Sequence, residues 1–222
     1  MSAPTQELKV LLIEDNPGDA FLMKFYLGES SSPMFHVSHA ENLKSALDLL
    51  SENKFDIILS DMNMPDSYGV DTIKTLMGNH PGNLVVVLTG LTDEEVGLET
   101  VRYGAQDFLV KGKFDGKVLV SSVMFAFERF KLNKQLDEEN SRLSTLQQLA
   151  GVGYFEVDAT SQKHFYTKTV VSLVGSDEEV KVMAEKAVDN APAYNHETAS
   201  GKKFSIKCST QGNKLCAVVI PV

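Results

Sequence analysis

Five side chains spread along the first half of the chain could do chemistry together: Glu14, Asp15, Asp61, Thr89 and Lys111. Each closes or directly follows a short apolar run, in LKVLLIEDN (8–16), FDIILSD (55–61), LVVVLTG (84–90) and QDFLVKG (106–112). Three carboxylates held close together repel one another and raise their own pKa values unless they share a cation. A hard divalent ion with oxygen ligands resolves that repulsion, and Mg²⁺ takes one or two carboxylates while keeping several waters. Asp61 can then act as ligand and as nucleophile. Its oxygen would attack phosphorus in line to give an acyl phosphate, with the metal and the Lys111 ammonium neutralising the equatorial oxygens. Thr89 could donate its hydroxyl to the bound group. An acid at a strand end often caps the next helix, so no single member of the set carries this inference. The five together do.

The elements that must position these residues are legible in the apolar spacing. Phe21, Leu22, Phe25 and Tyr26 recur at helical spacing after the first run. FHVSHA reads as a second strand, and Leu43, Ala46, Leu47 and Leu50 mark a helix face. Val70, Ile73, Leu76 and Met77 suit a helix entered from Gly69. LVVVLTG is near-continuously apolar, as a strand covered on both faces should be. Thr92 to Glu95 forms a capping box opening a helix that runs toward Gly104, and a last helix starts near Asp115. Five strands alternating with helices predict an α/β fold, a doubly wound parallel sheet with helices on both faces. In such sheets the ligand crevice lies beyond the carboxyl ends of the strands, where the five side chains fall.

The bulk numbers set bounds. The 222 residues suffice for one large domain or two small ones, and 43% hydrophobic with 23% charged residues is ordinary for a soluble globular protein. No apolar run approaches the roughly 20 residues of a membrane span, and no charged-then-apolar signal segment opens the chain, which predicts a cytoplasmic protein without membrane contact. The net charge of −9 resides entirely in residues 1–130, which hold 10 Lys and Arg against 19 Asp and Glu. Residues 131–150 are balanced at 3 against 3, and residues 151–222 at 8 against 8. No segment is basic enough to track a phosphate backbone, which argues against direct nucleic-acid binding. Cys208 and Cys216 match no zinc spacing and read as reduced, half-buried thiols on neighbouring strands of a hairpin.

IEDNPGDA, SDMNMPDSYG, VVLTGLTDEE and GAQDFLVKG follow one another in an order that resembles the receiver domain of two-component response regulators, over residues 6–131. The resemblance implies a flavodoxin-like fold and phosphorylation of Asp61 by a sensor histidine kinase or phosphotransfer protein. It implies Mg²⁺ ligation by Asp15, Asp61 and the backbone carbonyl of Asn63, with Glu14 acting through water. It further implies that Thr89 and Lys111 hold the phosphoryl group, and that Phe108 swings inward when Thr89 moves. Lacking a phenol oxygen, Phe108 can report its rotamer only through packing. One departure is Lys111-Gly112, where many receivers carry proline after a cis bond; glycine predicts a trans bond.

From Phe125 onward the positions Phe125, Arg129, Leu132, Leu136, Glu139, Leu143, Leu146 and Ala150 follow a heptad seam in which Arg129 and Glu139 are defects. With no Gly or Pro before Gly151, residues 132–150 are expected to form a coiled-coil linker helix and residues 125–150 to support a homodimer. The competing expectation is a helix packed back on its own chain. In residues 151–222, LAGVGYFEVD reads as a strand and 158–162 as a turn, with His164 to Thr167 returning. Short helices follow at Val170 to Val174 and Asp177 to Ala187, and KKFSIKC and KLCAVVIPV form a terminal hairpin. This α+β segment behind a coiled coil resembles a PAS domain. His164 and His196 read as core or surface histidines rather than haem ligands, neither cysteine has a flavin-reactive context, and no catalytic set follows residue 131. No organic cofactor is expected.

The expected plan is therefore a receiver over 1–131, a linker over 132–150 and a PAS-like domain over 151–222. The expected role is a phospho-dependent switch that catalyses only its own phosphotransfer and dephosphorylation. An aspartyl-phosphate phosphatase of haloacid-dehalogenase type would carry a D-x-D pair after the first strand, where Glu14-Asp15 stands here. Two other readings are a dimeric scaffold with a vestigial pocket and the N-terminal part of a longer regulator whose output domain is missing.

Overall fold

The structure, a computed structural model, describes residues 6–90, 94–158, 160, 161, 163–190 and 192–222. The chain divides into two compact units, Met1–Lys134 and Gln135–Val222. In the first unit, β1 (Glu7–Ile13), α1 (Pro17–Gly28), β2 (Met34–Ala40), α2 (Leu43–Glu52) and β3 (Ile57–Asp61) are followed by a small hairpin of β4 (Asn63–Met64) and β5 (Ser67–Tyr68). Then come α3 (Val70–Asn79), β6 (Val85–Thr89), α4 (Glu94–Arg102), β7 (Asp107–Val110) and the long α5 (Gly116–Ala150). The main sheet has the order β2-β1-β3-β6-β7, parallel throughout. That is the expected doubly wound arrangement.

Alternation along each strand divides the core in two. Val10, Leu12, Leu59, Val86 and Leu88 pack with Met23 and Leu27 of α1 and Leu119 and Val123 of α5. Leu11, Ile13, Ile58, Val85 and Val87 pack with Leu43, Ala46, Ile73 and Leu76 of α2 and α3. Both faces of each central strand are thus buried, which is why the strands read as unbroken apolar runs.

The helix starts follow from local chemistry. Asn16 caps α1 by accepting from the backbone N–H of Gly18 (2.9 Å) and Asp19 (3.2 Å), with Pro17 in the first turn, and Asn42 caps α2 through Ser45 N–H (2.8 Å). The expected cap Thr92 lies outside the described residues. Of the stripe that signals α1, Phe21 (71% exposed), Leu22 and Phe25 turn outward, while Tyr26 packs against the core that Ala20, Met23 and Leu27 enter.

In α5 only Leu119, Val123 and Ala126 are buried, and the seam residues Phe125, Leu132, Leu136, Leu143 and Leu146 are all exposed. The seam defect Arg129 is engaged within its own unit, donating to Asp107 at 3.0 Å.

The second unit carries β8 (Gly153–Asp158), β9 (His164–Tyr166), α6 (Lys168–Val174), α7 (Asp177–Asn190), β10 (Ala193–Glu197), β11 (Lys203–Gln211) and β12 (Lys214–Pro221). Its sheet is antiparallel, in the order β10-β11-β12-β8-β9. Phe155, Val157, Phe204, Ile206, Ala217 and Val219 cover one face and pack on Val180, Met183, Ala184 and Ala187 of α7, the helix face expected from spacing. Cys208 lies opposite Ala217 and Cys216 opposite Ser209, so neighbouring strands direct the two free thiols to opposite faces.

Candidate functional site

At the carboxyl end of the parallel sheet, β1, β3, β6 and β7 deliver Glu14, Asp61, Thr89 and Lys111 to one edge. Glu14 is fully buried, Asp61 and Thr89 are buried, and Asp15 is exposed at the rim. The Lys111 ammonium is the hub. It donates to Glu14 Oε2 at 2.5 Å, to Asp61 Oδ2 at 2.7 Å and to Asp19 Oδ2 at 2.9 Å. Asp61 Oδ1 accepts from the backbone N–H of Met62 (2.5 Å) and Asn63 (3.2 Å), and Glu14 Oε1 accepts from Asn16 N–H at 3.2 Å. Burial pushes the Glu14 carboxyl up to about 7, with Lys111 pulling the other way. Burial pulls the Lys111 ammonium down, but the hydrogen bonds it donates to the Asp61, Glu14 and Asp19 carboxylates outweigh it and hold its pKa above the ordinary value.

Glu14, Asp15 and Asp61 each offer an oxygen within 4.8 Å of the others, a donor set of the hard oxygen type that suits Mg²⁺. The Lys111 ammonium contacts two of these three, Glu14 and Asp61, together with Asp19. Asn63 follows Asp61 by two residues and is half buried in the β4–β5 hairpin.

Thr89 stands apart from the charged cluster in one respect. Its Oγ1 is buried without a hydrogen-bond partner, alone in this among the described residues. Buried hydroxyls are normally satisfied, and the Thr89 hydroxyl is an exception. Thr89 is fixed by its strand, its carbonyl accepting Lys111 N–H at 2.8 Å.

The loop after Asp61 is tightly tied. Gly69 N–H bonds Met62 O at 2.8 Å, and Thr72 Oγ1 donates to Met62 O (3.2 Å) and Ser67 Oγ (2.8 Å). Asp66 reaches across to the start of α2 and accepts from Leu43 and Lys44 N–H, both at 2.9 Å.

A family model of the response regulator receiver domain matches residues 10–123, more than half of the chain. The chain belongs to the response regulator receiver family. The receiver is 31% identical over 103 residues to the response regulator protein PilR of Pseudomonas aeruginosa, covering 46% of this chain and 22% of that one. It is 32% identical over 124 residues to the transcriptional regulatory protein MalR of Bacillus subtilis, covering 55% and 47%. The crystal structure of a response regulator receiver domain protein from Clostridium thermocellum superposes with a TM-score of 0.51 at 27% identity, covering 56% of this chain and 98% of that one. The chain therefore spans less than half the length of these two curated relatives.

The receiver's remaining predicted residues fall close by. Phe108 is half buried against the α2–α3 side of the sheet. The Lys111–Gly112 peptide is trans, as glycine there predicts, and Gly112 takes φ +79°, a conformation open to glycine. The Glu14 carboxyl, which the resemblance assigns to the metal through water, contacts the Lys111 ammonium. Two contributors escaped the sequence reading: Asp19, on the first turn of α1, and Asp66. Asp19 lies three residues from the α1 cap, a position where acids favour the helix dipole, and its reach to Lys111 depends on the fold.

Proposed function

We propose that the receiver accepts a phosphoryl group on Asp61 in a Mg²⁺-dependent reaction, from a sensor histidine kinase or phosphotransfer protein. The observation that supports it most is the pairing of a carboxylate, held on both oxygens, with a buried hydroxyl that has no acceptor. In the transfer an Asp61 oxygen forms the new O–P bond while the bond from phosphorus to the donor nitrogen breaks, its electron pair leaving with that nitrogen. Met62 and Asn63 N–H fix the rotamer of Asp61 before attack. Lys111 then moves its hydrogen bond from the carboxylate to a phosphoryl oxygen, and Thr89 Oγ1 donates to another. Asp15, Asp61 and the Asn63 carbonyl, with Glu14 behind them, would hold Mg²⁺, whose Lewis acidity withdraws charge from the phosphoryl oxygens.

The remainder of the chain would receive the signal. α5 leaves the receiver with its leucines exposed at heptad spacing, which supports a parallel homodimer through residues 125–150. Two strands, two helices and three further antiparallel strands support a PAS-like reading of residues 151–222. The proposed domain plan is receiver 1–131, linker 132–150 and PAS-like 151–222, in a cytoplasmic protein. Among the described residues no helix is long and apolar enough to cross a membrane. Sedimentation with and without beryllofluoride and Mg²⁺ tests the coupling. A shift in the monomer–dimer balance only when both are present supports it, and an unchanged balance rejects it.

A further inference from the structure

Gly97 sits inside α4, a helix of nine residues, where glycine is the least favourable choice after proline. Its backbone does not require glycine, since its φ is not positive. The reason lies across the gap to the sheet. A Cβ placed on Gly97 would stand 2.6 Å from Phe108 Cδ2, 3.0 Å from Cγ and 3.1 Å from Cε2. The contact reaches the ring carbon nearest the backbone, so turning the far edge of the ring cannot relieve it. Either the whole side chain leaves or the helix moves. Thr100, one turn further, is fully buried on the same helix face and donates its hydroxyl to Gly97 O at 2.6 Å. α4 therefore meets β7 through small groups that leave room for one ring.

Strand register links this seat to the phosphoryl site. Val87 lies opposite Phe108 and Thr89 opposite Val110, so Thr89 and Phe108 project from the same face of the sheet. A buried hydroxyl without an acceptor and an aromatic ring wedged under a helix are thus near neighbours on one surface. Close-packed groups change between discrete arrangements rather than deforming continuously. We propose that Gly97 is a positioning residue of the switch: the side chain it lacks forms the seat of the Phe108 ring, so that the ring and α4 move as one when Thr89 engages a phosphoryl oxygen. The seat itself stands on packing alone, whereas its consequence for signalling rests on Asp61 as phosphoacceptor.

A double-mutant cycle in the full chain separates the two. In an open helix, Gly→Ala raises stability. Here G97A should lower the urea midpoint in the otherwise native chain and raise it in the F108A background. A rise in both backgrounds overturns the seat. The second readout is hydrogen exchange over residues 96–102 with and without beryllofluoride and Mg²⁺. The native chain should change its exchange several-fold; G97A and F108A should each lose most of that change, and the double variant should lose no more than either. Additive losses, or a native-sized response in G97A, overturn the coupling. Phosphoryl uptake from acetyl phosphate should persist in all variants. Its absence from the native chain would defeat the phosphoacceptor reading and the coupling built on it, leaving the stability cycle to decide the seat.

Discussion

Replacing Lys111 by methionine removes the one ammonium shared by Glu14, Asp61 and Asp19 and keeps most of the apolar stem. The Asp19 side chain is 41% exposed, so water takes over its charge at little cost. Glu14 and Asp61 are buried, and removing one partner of a buried ion pair costs about 3–5 kcal/mol when the remaining charge stays. A proton limits that loss. The Glu14 carboxyl titrates near 7 with Lys111 present, and without the ammonium it rises further. At pH 6 the K111M chain should therefore hold Glu14 neutral and lose mainly the charge-assisted hydrogen bond to Asp61, about 1.5–3 kcal/mol. Because the folded value lies above the ordinary 4.5, folding takes up a proton between the two. Stability from this group is complete below the unfolded value and declines as pH rises to the folded one, by about 1.4 kcal/mol per unit. In the native chain that decline ends near pH 7; in K111M it continues beyond. Urea unfolding at pH 6 and pH 8 without Mg²⁺ should show a deficit that widens with pH, and added Mg²⁺ should restore more stability to K111M than to the native chain. A deficit that is constant or shrinks with pH would refute the assignment of Lys111 as the counter-ion of the buried cluster.

Substituting Thr89 by valine replaces an unpartnered buried hydroxyl with a methyl group. It should stabilise the native fold by about 1 kcal/mol in urea unfolding while shortening the lifetime of the phosphorylated state. D66A removes the acceptor for Leu43 and Lys44 N–H and should cost up to about 1 kcal/mol near neutral pH. Burial works against ionisation of Asp66, but those backbone donors outweigh it and hold its pKa below the ordinary 3.8. The cap's contribution is thus present above the unfolded value, and the gap between native and D66A unfolding curves should close as pH falls below it. Lysine at both Leu136 and Leu143, exposed within a single chain, should leave unfolding within about 0.5 kcal/mol at low protein concentration yet abolish dimer formation by sedimentation.

Much of the receiver was legible because a parallel sheet buries both faces of its strands and presents side chains only where a strand stops. Glu14, Asp61, Thr89 and Lys111 could be placed from that rule alone. What stayed hidden depended on tertiary approach. Asp19 and Asp66 carry no periodic or strand-end signal, and only the fold brings one to Lys111 and the other to α2. In α1, the Phe21, Leu22 and Phe25 stripe revealed the helix but marked its outer face, since the smaller Ala20 and the flexible Met23 fit against the sheet. β10, with the sequence AYNHE, carries little apolar signal and exists because β11 supplies its ladder. The β4–β5 hairpin is only two residues per strand, too short for any period to show. Gly97 had no sequence signal beyond being a glycine in a helix.

The central claim is that Asp61 receives phosphorus in a metal-assisted crevice. Intact-mass and peptide analysis after incubation with acetyl phosphate measures this directly. A single phosphoryl adduct is expected on the peptide containing Asp61, dependent on Mg²⁺ and absent from D61N. An adduct that persists in D61N, or that forms equally well in chelator, contradicts it.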